Sequence, residues 1–239
     1  MSMIGSLYRL VVVLGLVGLL SHCTDVAPRG GGDILVIGDS VMAWNGRKNS
    51  AIGDAIARTL GRKVVSKAVP GAQFDNASVV AGAVGFDIQR QFQAGRWNWV
   101  VMNGTANDLA ADCNCGACGA SVNALIAPDA NAGAIPDFIR KVRRDSGAKV
   151  LWMGYYAGSG TGGFAGCRGD LVEIERRLSR FARANNGVYF ADAEDVISRG
   201  DATLFAPDNT HPSPKGSALI GAFLAAEINA RDPRSQTQR

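Results

Sequence analysis

Histidine is nearly absent from this chain: 239 residues contain two, His22 and His211. Any reaction that needs an imidazole must draw on one of those positions, and His22 lies in a segment with the marks of a leader. An excess of charge of one sign is lacking too. Lysine and arginine number 25 against 21 aspartates and glutamates, the formal net charge is +4, and no dense basic run occurs. That leaves little basis for nucleic-acid binding. The chain has no internal repeat, no second linker-bounded domain and no Gly-Lys-Ser/Thr of a phosphate-binding loop. Hydrophobic residues make up 47% and charged ones 19%, which excludes a disordered chain and suits one domain with a full core.

An apolar run long enough to span a bilayer comfortably is also missing. The nearest, Leu10 to Leu20, has eleven residues, follows Tyr8-Arg9 and precedes the polar Ser21-His22-Cys23-Thr24-Asp25, whereas a spanning helix takes about 20. It reads as the core of a signal peptide over residues 1–25, followed by a linker over 26–32. Leu20-Ser21-His22-Cys23 resembles a lipobox, with His22 where a small residue is expected. Lipid attachment at Cys23, with a membrane tether through the N-terminus, and simple cleavage therefore both stand. Either reading exports the protein to the periplasm or beyond.

Cysteine is scarce but clustered. Cys113, Cys115, Cys118 and Cys167 form an even set after the leader. In a reducing compartment such a set would suggest zinc; in an oxidising one it suggests two disulfides. Of the three pairings, the one with a Cys113–Cys115 bond is disfavoured by strain, and the other two stay open. The expected role is a staple for a loop, with no metal and no catalytic part.

Two periodicities alternate along the rest of the chain. Short apolar runs at Ile34–Ile37, Lys63–Ser66, Trp99–Met102, Lys149–Met153 and Val188–Phe190 read as strands. Helical patterns cover about Ser50–Leu60, Val84–Phe92, Ala134–Arg144, Asp170–Asn185 and Ser213–Ala230. Strands alternating with helices imply a parallel sheet covered on both faces. The expected fold is α/β: a three-layer α/β/α, flavodoxin-like domain over residues 33–231 with about five parallel strands, then a polar tail over 232–239. Ligands of such sheets bind beyond the carboxyl ends of the strands. Four segments lie there: Gly38-Asp39-Ser40, Pro70-Gly71, Asn103 to Asp108, and Asp208 to His211.

"DILVIGDSVMAW" puts a small turn and a serine at the end of the first strand. In "APDNTHPSPKGSALIGAFL", Ser213 suits a helix N-cap and Pro214 the first helical position, so His211 falls in the loop before the last helix. Asp208 is three residues back, where it can hold one ring nitrogen while the other takes a proton from a serine.

Gly-Asp-Ser after the first strand and Asp-x-x-His before the last helix together resemble the SGNH (GDSL-type) hydrolase family, from Ile34 to Leu224. The resemblance implies that Ser40 is the nucleophile, with Val41 in place of the usual leucine, and that His211 and Asp208 complete a triad. It implies an oxyanion hole formed by Ser40, Gly71 of "SKAVPGAQF" and Asn107. The third block, Gly104-Thr105-Ala106-Asn107-Asp108, is one residue longer than the family's Gly-x-Asn-Asp, and Asn103 is a weaker candidate for its donor. A Ser N–H at a strand-to-helix corner, a glycine open to close approach and a neutral amide can share one developing oxyanion.

Other signals have plainer readings. Gly158-x-Gly160-x-x-Gly163 follows the fourth strand, where a dinucleotide fingerprint belongs to the first; it reads as a mobile loop near the cleft that can line it with Tyr155 or Tyr156. Trp97 and Trp99 share a face and read as core. Asp108 reads as orienting its neighbour or capping a helix. Arg140, Lys141, Arg143 and Arg144 form a solvated face, and Glu173, Glu175, Arg176 and Arg177 read as exposed ion pairs.

The expected function is an exported serine esterase acting without a cofactor through an acyl-enzyme. Its substrate would be a small-molecule, glycan or lipid ester, with short acyl groups favoured because no apolar insert resembles a lipase lid. The alternatives are an acyltransferase on envelope glycans and a non-catalytic ligand-binding protein of the same fold.

Overall fold

All five apolar runs form strands, and the register of the sheet explains their composition. In the computed structural model, which describes residues 33–76 and 78–232, the strands are β1 (Ile34–Ile37), β2 (Val64–Ser66), β3 (Trp99–Met102), β4 (Lys149–Gly154) and β5 (Val188–Asp192). All pair in parallel in the order β2-β1-β3-β4-β5. β1 and β3 are buried along their whole length, as strands covered on both faces must be, while the edge strands β2 and β5 carry half-buried positions. Each of Ile34, Leu35, Val36 and Ile37 is fully buried and contributes about 1.5–3 kcal/mol over an exposed side chain. The segments expected as leader and linker, with His22 and Cys23, and residues 233–239 lie outside the described residues.

The helices are α1 (Ser40–Ala43), α2 (Ile52–Leu60), α3 (Val79–Ala83), α4 (Ile88–Gln91), α5 (Ala106–Cys113), α6 (Gly119–Leu125), α7 (Ala134–Ser146), α8 (Arg168–Ala184) and α9 (Pro214–Arg231). α9 packs closely on α2: a Cβ at Gly221 would come within 2.3 Å of the Ala55 side chain. α6, α7 and α8 make contact with one another, and α7 and α8 cover β4 and β5. The result is the expected three-layer α/β/α fold. α9 begins as read, with Ser213 accepting from the Gly216 N–H and Pro214 at the first position.

Three expectations need correction. The helix expected over Val84–Phe92 is broken: Gly85, at φ +87°, turns the chain out of α3, and Asp87 then caps α4 by accepting from Gln89 and Arg90. α5 and α6 were not expected, because the cysteines and the left-handed Asn114 (φ +50°) between them blur the helical period. The tail does not begin at Asp232, which is 5% exposed and accepts from Arg62 (2.8 Å) and Trp99. Trp97 and Trp99 are buried in the core.

The cysteines pair as Cys113–Cys118 and Cys115–Cys167. The first closes the turn after α5. The second ties that turn to the start of α8.

Candidate active site

Every element of the site leaves the sheet at its carboxyl edge. After β1 the chain must turn within three residues, and Gly38 makes this feasible. Its φ is +150°, and a Cβ there would sit 2.0 Å from Asn103 Oδ1. Gln91 brackets the glycine by accepting from its N–H (2.7 Å) and donating to its carbonyl (3.0 Å). Asp39 is 1% exposed and caps α1 by accepting from the Val41 N–H at 2.9 Å. Its main chain donates to Asn103 Oδ1 (3.2 Å), and its carboxylate accepts from Asn103 Nδ2 (3.0 Å) and the Tyr155 hydroxyl. Burial raises the Asp39 carboxyl above its ordinary value despite those hydrogen bonds. Burial, together with the Asp39 charge, holds the Tyr155 phenol well above its own, so Tyr155 stays a donor.

Ser40, the first residue of α1, thus stands on a turn fixed from α4 and from the ends of β3 and β4. His211 Nε2 lies 2.7 Å from its Oγ, and His211 Nδ1 lies 2.6 Å from Asp208 Oδ2. Asp208 is exposed, and its other oxygen accepts from the Thr210 N–H (3.0 Å) and the His211 N–H (2.9 Å). Partial burial raises the Asp208 carboxyl, but the hydrogen bonds from His211 and Thr210 outweigh it and leave it below the usual value. Asp208 therefore remains a carboxylate, suited to orient an imidazole and to balance an imidazolium.

The third block leaves β3 along an unusual backbone path. Thr105, buried at 1%, takes φ +107°, a conformation that costs a non-glycine residue about 1–3 kcal/mol. α5 then starts at Ala106, whose N–H donates to the Tyr155 hydroxyl (3.2 Å). Asn107 is half-buried and one of its amide hydrogens goes to the Ala72 carbonyl (2.9 Å), which places that amide beside Gly71. Asp108 does not cap a helix end. It accepts from the Phe74 (2.8 Å) and Asp75 (3.0 Å) N–H groups and so clamps the loop carrying Gly71 to α5. Burial raises its carboxyl to about 6. Among the described residues, the main-chain N–H groups of Ser40 and Gly71 have no acceptor within the protein. Asn103 is fully buried with both ends of its amide on Asp39; it holds the Gly38-Asp39-Ser40 turn and does not face the cleft.

A cleft opens over Ser40 and His211. Val41, Ala106, Tyr156, Phe164 and Leu171 give it apolar walls, and Gly158 and Gly162 form its rim. The glycine-rich loop is tied down: the Ser159 N–H donates to the Asn209 carbonyl (3.2 Å) and the Gly163 N–H to Thr210 Oγ1 (2.9 Å). Behind the cleft, Glu175 and Arg177 are buried, contrary to their reading as exposed pairs. Glu175 accepts from the Tyr155 N–H (2.6 Å), with Arg168 at 3.7 Å. Burial raises its carboxyl to about 8. Arg177 donates to Asn123 and Ile126. No group of side chains that could hold a metal occurs among the described residues.

Sequence reasoning missed Gln91, Asn103 as a support, Tyr155 and Trp44, whose ring stacks on His211. Gln91, Asn103 and Tyr155 reach the nucleophile turn from 53 to 116 residues away, and no local pattern marks such a contact.

Comparison with known proteins agrees with the fold. No curated protein sequence matches the chain. A Slackia heliotrinireducens protein described as an SGNH hydrolase superposes with a TM-score of 0.54 at 21% identity, over 82% of this chain and 97% of the other. A carbohydrate acetylesterase from Sinorhizobium meliloti gives 0.53 at 14%, over 83% and 99%. A Clostridium thermocellum family two carbohydrate esterase, in complex with cellohexaose, gives 0.54 at 19%, over 83% and 63%. At such identities the likeness is one of fold. The family model for GDSL-like lipases and acylhydrolases, however, matches residues 36–219, from within β1 into α9. With that match over most of its length, the chain belongs to the GDSL-like lipase/acylhydrolase family of hydrolases.

Proposed function

We propose that the protein is an exported serine esterase that removes short acyl groups from carbohydrate esters through a covalent intermediate on Ser40. One observation carries this reading: the unbroken hydrogen-bonded chain from Ser40 Oγ through His211 to Asp208, at the floor of a cleft. Ser40 Oγ attacks the ester carbonyl while its proton passes to His211 Nε2. The carbonyl oxygen becomes an oxyanion, received by the N–H groups of Ser40 and Gly71 and the remaining hydrogen of the Asn107 amide; losing one such donor typically costs about 3 kcal/mol in the barrier. His211 then gives its proton to the departing sugar oxygen, the C–O bond breaks, and the acyl group remains on Ser40. Water, losing a proton to His211, releases the acid and restores the serine. Asp208 stays ionised throughout.

The carbohydrate class is supported by the carbohydrate esterases among the proteins of like fold. Short acyl groups are supported by the walls contributed by Ala106, Phe164 and Leu171, with Gly158 and Gly162 in the lining. Export is supported by the leader-like N-terminus and by two disulfides, which persist in oxidising compartments. A panel of acetylated oligosaccharides and p-nitrophenyl esters of increasing chain length tests the reading. We expect turnover of acetylated sugars and acetyl esters, falling by about tenfold or more beyond four carbons, and none in Ser40→Ala. Preference for long acyl chains would overturn the substrate class, and full activity of Ser40→Ala the mechanism.

A further inference from the structure

The two hydrogen bonds to His211 leave one freedom unfixed. The lone-pair and N–H directions at Nδ1 and Nε2 lie in the imidazole plane, and each nitrogen has one partner, Asp208 and Ser40. They define an axis through the ring, but rotation about that axis changes neither distance much while it spoils the lone-pair direction toward Ser40. The loop is held through its main chain, the His211 carbonyl accepting from the Ala206 N–H and the Thr210 carbonyl from the Tyr156 hydroxyl, and these bonds do not touch the imidazole. What meets the face of the ring is Trp44, with ring centroids 3.8 Å apart and planes within 7° of parallel.

Trp44 is well placed to act with the nucleophile. It follows α1, one helical turn after Ser40, and its N–H donates to the Ser40 carbonyl at 2.8 Å. The next residue, Asn45, donates to the Pro212 carbonyl and to Ser217 Oγ, each at 3.0 Å. Trp44 and Asn45, four and five residues beyond Ser40, thus hold the histidine loop from its face and from behind.

We propose that Trp44 is a positioning residue that fixes the plane of His211, and that its π face stabilises the imidazolium formed when His211 takes the Ser40 proton. This rests on the reading of His211 as the general base. A flat aromatic face attracts a cation more than a neutral ring, so the contact strengthens as the proton arrives and acts on turnover more than on substrate binding.

The test compares Trp44→Leu and Trp44→Phe with wild type, counting active sites by fluorophosphonate titration so that loss of folded protein is not read as loss of rate. We expect Trp44→Leu to lower kcat per titrated site about five- to thirty-fold with KM within about twofold, and Trp44→Phe to recover most of it. A second readout needs no variant. His211 is the only histidine among the described residues, so a chain beginning after the leader gives one set of imidazole proton resonances, which a stacked indole shifts upfield. Unshifted resonances in wild type, an unchanged kcat in Trp44→Leu, or a change confined to KM would each overturn the proposal. Absence of any fluorophosphonate-reactive serine in folded wild type would instead overturn the esterase reading, and this proposal with it.

Discussion

Ser40 stands on a turn buried among partners from distant parts of the chain, whereas His211 stands on a loop that meets solvent. The Gly38-Asp39 turn is held by Gln91, Asn103 and Tyr155, all buried. The 208–211 loop is held by its own short-range hydrogen bonds, by the Trp44 face and by the tie from Asn45. On the mechanism proposed above, the contrast separates two demands. A nucleophile at a strand end must be fixed against the core, so its supports also carry stability. A base that moves a proton between three oxygens needs direction but little burial, so its supports carry activity.

The largest expected difference comes from one substitution in each region. His211→Ala should lower kcat/KM by about a thousandfold or more while Tm stays within about 4 °C, since it removes one ring contact. Gly38→Ala should do the reverse in emphasis. The methyl collides with Asn103 at an unfavourable φ, which costs about 3 kcal/mol, or roughly 6–12 °C in Tm. Thermal melts beside ester kinetics check both. Equal losses of stability from the two variants would break the comparison.

Tyr155→Phe sharpens it. The change keeps the ring but removes the hydroxyl that donates to Asp39 and accepts from the Ala106 N–H. It should cost about 1–3 kcal/mol and lower activity in step, since the same hydroxyl links the nucleophile turn to the helix of Asn107. Denaturant unfolding reads the first effect and initial rates the second.

The last difference is a slope with pH. Glu175 is raised to about 8 from 4.5, chiefly by burial, with Asp192 and Glu194 adding to the rise and Arg168 opposing it. Between those values the unfolded chain releases the proton and the folded chain keeps it, so stability falls as pH rises through that window. Glu175→Gln should therefore be relatively more stable at pH 8 than at pH 5, by denaturant midpoints, and an unchanged difference between variant and wild type would sink the assignment.

The core was legible because buried parallel strands need unbroken apolar runs, and Ile34–Ile37 and Trp99–Met102 supply them. The meeting of Ser40, Asp208 and His211 was legible because each sits beside a turn or cap whose chemistry is local, and a chain so poor in histidine left little choice of imidazole. Glu175 was misread because charge pattern on a helix does not say which face meets the sheet. Asn103 was misread because an amide beside a strand end can face either substrate or a buried carboxylate, and only the fold brings Asp39 to it. Trp44 was passed over because its partner lies 167 residues on, across the whole sheet.

The most direct measurement is fluorophosphonate labelling of the folded protein, with the modified residue located by peptide mass mapping and with Ser40→Ala and His211→Ala alongside. The account predicts one adduct, on Ser40, that is absent from Ser40→Ala and strongly slowed in His211→Ala. An adduct on another residue, equal labelling of His211→Ala, or no labelling of folded wild type would contradict it.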